Sequence, residues 1–97
     1  MNTVVEEQVV EELIVVGYSA NRAITKEELA MFEKVMEDLV GVMYKPTLVA
    51  TQVVAGMNYC FTTTATPVYP GSKPKTVYVY IFKLLQGEPK LDRIEDI

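Results

Sequence analysis

Hydrophobic and polar positions change period along this chain. Leu29, Phe32, Met36, Leu39 and Met43 recur at alternating steps of three and four, the spacing of one helical stripe, and Val35 and Val40 broaden it. Glu33, Lys34, Glu37 and Asp38 fall on the opposite, wet side. Ahead of the stripe, Thr25 and Glu28 form a capping box, and Ile24 is placed to staple onto Leu29. Glu27 and Glu28 suit the positive end of the helix dipole. The pattern predicts a helix from Thr25 to near Gly41.

Beyond it the period falls to two. Tyr44 to Gln52 reads as a strand entered past Pro46. In the run Met57 to Thr66, Met57, Tyr59, Phe61 and Ala65 face one way, and Asn58, Cys60, Thr62 and Thr64 the other. Pro67, Pro70, Gly71 and Pro74 rule out a regular central strand and make the stretch to Lys75 a loop. Thr76 to Leu85 is strongly β-prone, with Val77, Val79 and Ile81 opposing Tyr78, Tyr80 and Phe82. Gln86 to Pro89 is a tight turn. Lys90 to Ile94 forms a short last strand. One amphipathic helix and about four antiparallel strands make an α+β domain, with the sheet packed on the helix.

The beginning of the chain is less decided. Val4-Val5, Val9-Val10 and Leu13 to Val16 alternate with Glu6-Glu7 and Glu11-Glu12, which permits either an amphipathic helix capped by Thr3 or a strand ending at Val16. A strand is expected for Leu13 to Val16, and the Glu pairs read as a solvated face. Gly17 to Ile24 reads as a connector.

Composition narrows the function classes. Ninety-seven residues make one domain, 1–97, with 1–16 as an N-terminal extension. The net charge is −4 and Lys and Arg are scattered, so no basic patch supports nucleic-acid binding. No apolar run approaches the roughly 20 residues that span a bilayer, so no membrane partner is expected. No basic region followed by an apolar stretch opens the chain. With Cys60 as the sole cysteine, that makes the cytoplasm the expected compartment, with secretion left open. Histidine is absent, which excludes Ser-His and Cys-His catalysis within one chain and removes the commonest transition-metal ligand. Cys60 reads as a small buried hydrophobe rather than a nucleophile. No enzyme activity, cofactor or metal site is expected.

The segment Gln52-Val53-Val54-Ala55-Gly56, followed by Asn58 and Tyr59, stands out because it sits at a turn yet is apolar. Turns normally use Gly, Pro, Asn and Asp and face water. Burying one valine is worth roughly 1.5–3 kcal/mol, so an apolar tip on a stiff hairpin suits a cleft in a partner. The competing reading is a chance hairpin with valines lent by its flanking strands.

This segment resembles the signature of the cystatin family, the inhibitors of papain-like cysteine proteases, and most closely its stefin branch, which is intracellular and free of disulfides. The resemblance covers roughly Gly17 to Ile97 and includes the order of elements: a glycine arm, helix, strand, motif, strand, long loop, strand and short loop. It implies a cystatin-like fold, with one long helix wrapped by a four- to five-stranded antiparallel sheet. It also implies a reversible, competitive inhibitor, active as a monomer, with a domain-swapped dimer as the alternative state. Three segments would enter the protease cleft. Gly17 matches the arm glycine, with Val15 and Val16 as the apolar pair for the specificity pockets. Gln52, Val53, Val54, Ala55 and Gly56 form the central tip, with Gly56 left-handed and with Tyr59 and Phe61 anchoring the hairpin to the helix. Leu85, Gln86 and Gly87 would touch the primed side.

Three departures from the family pattern stand beside this. Gln86 replaces a common proline, sixteen residues precede Gly17, and only eight follow Pro89, fewer than in stefins, so against the family pattern a stunted last strand and an open sheet edge are expected. A second reading is a non-inhibitory interaction module on the same scaffold, acting through the extension and an open sheet edge.

Overall fold

In a computed structural model of the chain, residues 17–97 are described. They form α1 (Lys26–Met36), β1 (Val42–Val54), β2 (Gly56–Pro67), β3 (Lys75–Lys83) and β4 (Lys90–Asp96). The strands make one antiparallel sheet in the order β1-β2-β3-β4, so each pairs with its sequence neighbour. One helix packed on a four-stranded antiparallel sheet makes this an α+β fold.

The capping box forms as expected. Glu28 N donates to Thr25 Oγ1 at 3.1 Å, and Thr25 N donates to the Glu28 carboxylate at 3.0 Å. The helix is shorter than expected: it has 11 residues and ends at Met36 rather than near Gly41. Glu37 and Asp38 stand at the negative end of the helix dipole, and Val40 and Gly41 are poor helix formers. Phe32 and Met36 are therefore the buried part of the stripe. Val40 is left 89% exposed, and Met43 belongs to β1, 66% exposed.

The core lies between α1 and one face of the sheet. It joins Phe32 and Met36 to Val49, Phe61, Ala65, Val77, Val79 and Ile81. The Phe32 and Phe61 rings meet edge-on with centroids 4.9 Å apart. Thr63 is fully buried in the same row, and its own hydroxyl donates to the Phe61 carbonyl at 3.0 Å. The expected alternation holds here: Val77, Val79 and Ile81 turn to the core, and Tyr80 stands on the other face.

Strand boundaries shift from the expectation. β1 begins at Val42 and takes Pro46 into its interior. It tolerates this because it is an outer strand and because the register slips between Pro46 and Leu48. Thr47 Oγ1, in the slip, donates to the Thr62 carbonyl at 3.0 Å. β3 stops at Lys83, so Leu84 and Leu85 belong to the turn. β4 is not stunted: it runs seven residues, and Lys90, Asp92, Arg93, Glu95 and Asp96 charge its edge.

The stretch after Gly17 is more than a connector. Ser19 N donates to Thr51 O at 2.8 Å, Thr51 N donates to Ser19 Oγ at 3.0 Å, and Arg22 and Val49 exchange both backbone hydrogen bonds. This arm caps one part of the outer edge of β1. Tyr18 then crosses to the outer face of the sheet. There Ala50, Cys60, Tyr80 and Arg93 lie in one transverse row. Tyr18 meets Tyr80 edge-on at 6.2 Å, and the Arg93 guanidinium sits 3.9 Å from the Tyr80 ring centre. Burial raises the Tyr18 and Cys60 pKa values and pushes the Tyr80 hydroxyl well above its ordinary value. The expected strand over Leu13 to Val16 lies outside the described residues.

Candidate functional site

Strand register decides what meets at the end of the sheet. In the first hairpin Gln52 pairs with Asn58, Val53 with Met57 and Val54 with Gly56, which leaves Ala55 alone at the tip. On the next strand Met57 pairs with Lys83. The first hairpin tip therefore lies directly beside the start of the β3–β4 turn.

Gly56 makes that neighbourhood close. Its φ is +127°, a region that side-chain-bearing residues rarely adopt, and it is buried. A Cβ there would lie 2.5 Å from the Lys83 carbonyl oxygen and 3.0 Å from Leu84 Cα. The glycine expected to close the turn thus has positive φ, well beyond the left-handed helical value, and it also lets the second turn press against the first.

The β3–β4 turn is itself held at two points. Gly87 N donates to Leu84 O at 3.0 Å, closing a four-residue turn. Lys83 Nζ donates to the carbonyls of Leu84 and Leu85, both at 3.3 Å. Gln86 leaves the turn without a proline, and Lys83 supplies part of the missing restraint.

The arm reaches the same end. Gly17 has φ +84°, and a Cβ on it would run into the Gln52 side chain. Gln52 Oε1 also accepts from Asn58 Nδ2 at 2.7 Å, which ties the two strands of the hairpin just below its tip. Further back, Arg22 fixes the arm to the helix. Its guanidinium grips the Glu28 carboxylate at 2.9 and 2.7 Å, while its backbone pairs with Val49. The Arg22 hydrogen bonds hold the Glu28 carboxyl down to about 2, against the opposing effect of burial.

Three segments singled out in the sequence therefore stand side by side: Gly17, Gln52 to Gly56, and Leu85 to Gly87. Val15 and Val16 lie outside the described residues. Across the end, Val53 is 78% exposed, Leu85 78%, Leu84 54% and Val54 45%. These exposed aliphatic side chains are carried on hydrogen-bonded turns at one end of the sheet. Below it, Tyr59 stacks on Phe61 at 6.2 Å, and Phe61 packs on Phe32, so the hairpin is anchored to the helix as expected.

Sequence reasoning missed three contributors. The β-prone run Thr76 to Leu85 takes Leu84 into the strand, and only the pairing of Met57 with Lys83, where the strand ends, puts it in the turn. Lys83 acts through backbone carbonyls, for which no sequence signal exists. Ser19 pairs across a long sequence separation, and only its hydroxyl hinted at a role in capping an edge.

The chemistry on offer is apolar contact on a stiff frame. Among the described residues no group of three or more His, Cys, Asp or Glu side chains is placed to hold a metal ion, and no helix is long and apolar enough to cross a membrane. Comparisons with protein-family models, with curated proteins and with solved structures find no match for this chain.

Proposed function

We propose that this chain is a reversible, competitive inhibitor of papain-like cysteine proteases with a cystatin-like fold. In this reading Gly17, the Gln52 to Gly56 tip and the Leu85 to Gly87 turn enter the active-site cleft together. The observation that carries the reading is the shared end of the sheet, where Val53, Val54, Leu84 and Leu85 are exposed on two turns pressed together at Gly56. Exposed aliphatic side chains cost solubility and contribute little to the fold, so a cleft that desolvates them accounts for their placement. The hydrogen bonds that hold the turns reduce the ordering entropy lost on binding. Val15 and Val16 are assigned to the specificity pockets on the resemblance alone.

The competing reading, an interaction module that self-associates through a sheet edge, has less to recommend it. The β4 edge carries alternating charges, and the β1 edge holds Pro46 and is capped by the arm at Val49 and Thr51.

Titration of papain with the purified chain, read by cleavage of a small fluorogenic peptide, tests the proposal. Competitive inhibition at micromolar concentration or below is expected. Val54→Asp should weaken it by roughly thirtyfold, the loss that accompanies a hot-spot contact. The same variant should unfold in urea within about 0.5 kcal/mol of the parent, because Val54 is half exposed. No inhibition by the native chain, or undiminished inhibition by Val54→Asp, would sink the reading.

A further inference from the structure

A groove of about 430 Å³ opens between the first turns of α1 and the β3–β4 turn, on the flank of the sheet end. Its floor is apolar, built from Ala30, Met31, Tyr59 and Pro89. Five charged residues also line it, and three are already engaged. Glu28 is gripped by Arg22, Lys83 donates to the Leu84 and Leu85 carbonyls, and Lys34 reaches Glu37 at 4.0 Å. The carboxylates of Glu27 and Glu88 have no hydrogen-bond or ion-pair partner among the described residues. One stands on the helix wall and the other on the turn wall. The carbonyls that Lys83 meets are neutral, so its ammonium keeps its charge; the groove is thus an apolar trough in which two unpaired carboxylates outnumber one unpaired ammonium, a net excess of one negative charge.

We propose that this groove docks an apolar peptide segment of a partner protein bearing one lysine or arginine. The aliphatic stem of the cation would lie over Met31 and Pro89, and its charge would sit between Glu27 and Glu88. Lys83 can offset one of the two carboxylates, so a neutral or acidic segment would leave the other desolvated without a counter-charge, and the groove discriminates by sign as well as by shape. The surface is separate from the apolar tip: none of Val53, Val54 or Leu85 lines it. It stands whether or not the chain inhibits a protease.

The test uses the full, isotope-labelled chain and two probes, acetyl-Leu-Lys-Leu-Leu-amide and acetyl-Leu-Gln-Leu-Leu-amide, followed by amide chemical shifts. Saturable shifts at Glu27, Met31, Tyr59 and Glu88 are expected, with the lysine peptide bound about fivefold more tightly, the yield of two partly exposed ion pairs. The double variant Glu27→Gln/Glu88→Gln changes two exposed side chains and so should keep the fold. It should bring the two peptides to equal affinity. Equal affinities on the native chain, shifts centred on Val53, Val54 and Leu85, or no saturable shift would overturn the proposal.

Discussion

The backbone of Gly56 lies so close to the carbonyl of Lys83 that a single added Cβ would sit 2.5 Å from that oxygen. The two residues are on neighbouring strands, one at the foot of the first hairpin tip and the other where the second turn begins. Neither partner can give way cheaply, since the carbonyl is backbone and the φ of Gly56 is +127°. Gly56→Ala should destabilise the fold by about 2–4 kcal/mol, combining a strained backbone with a steric clash. A urea midpoint unchanged from the parent would show that the two turns are not pressed together.

The Gln52–Asn58 hydrogen bond ties the first hairpin below its apolar tip. Asn58→Ala removes a half-buried donor, and a loss of about 1 kcal/mol is expected in chemical unfolding. Hydrogen exchange at the Val53 and Met57 amides should quicken more than exchange at Val79 in the core. A uniform change across the sheet would contradict a local tie.

Glu28 makes stability depend on acid. Its carboxyl is held down to about 2 from an ordinary 4.5, chiefly by the hydrogen bonds from Arg22. As the pH falls below that ordinary value, the unfolded chain takes up the proton first. The stability from Glu28 is thus complete above about pH 4.5 and drains away towards pH 2. Glu28→Gln should melt lower at neutral pH and lose less between pH 4.5 and 2 than the parent. Parallel melting curves for the two proteins across that window would count against the clamp.

Cys60 is 2% exposed, and burial raises its thiol pKa. The native chain should resist iodoacetamide at mildly alkaline pH and should react at once in denaturing urea. Rapid labelling of the native protein would mean that the Tyr18, Cys60 and Tyr80 layer opens readily.

Local signals were read well where local physics suffices. Thr25 and Glu28 announced the helix start, because a capping box satisfies donors within one turn. The end of the helix was overextended, because Leu39 and Met43 keep helical spacing while the chain between them has already left the helix. The alternation of Val77, Val79 and Ile81 against the tyrosines was legible, since a pleated strand enforces it. The strand through Pro46 was not, because a proline is admitted only where an outer strand slips register, and neither property shows locally. Of the candidate site, each segment is visible, but Ser19, Lys83 and Leu84 are not. Their roles come from partners distant in sequence or from backbone atoms.

By itself the sequence determined the helix cap, the turn glycines, the apolar tip and the absence of histidine chemistry. Each of these is set by a residue and its immediate neighbours. Only the tertiary structure decided that Gly17, Val54 and Leu85 share one end of the sheet, that an arm caps the outer edge of β1, and that Glu27 and Glu88 line one groove from two different elements. Those relations follow from the pairing of Met57 with Lys83 and of Arg22 with Val49. Register is a long-range choice made by the whole core at once, and a one-residue slip would turn the inward row of side chains outward.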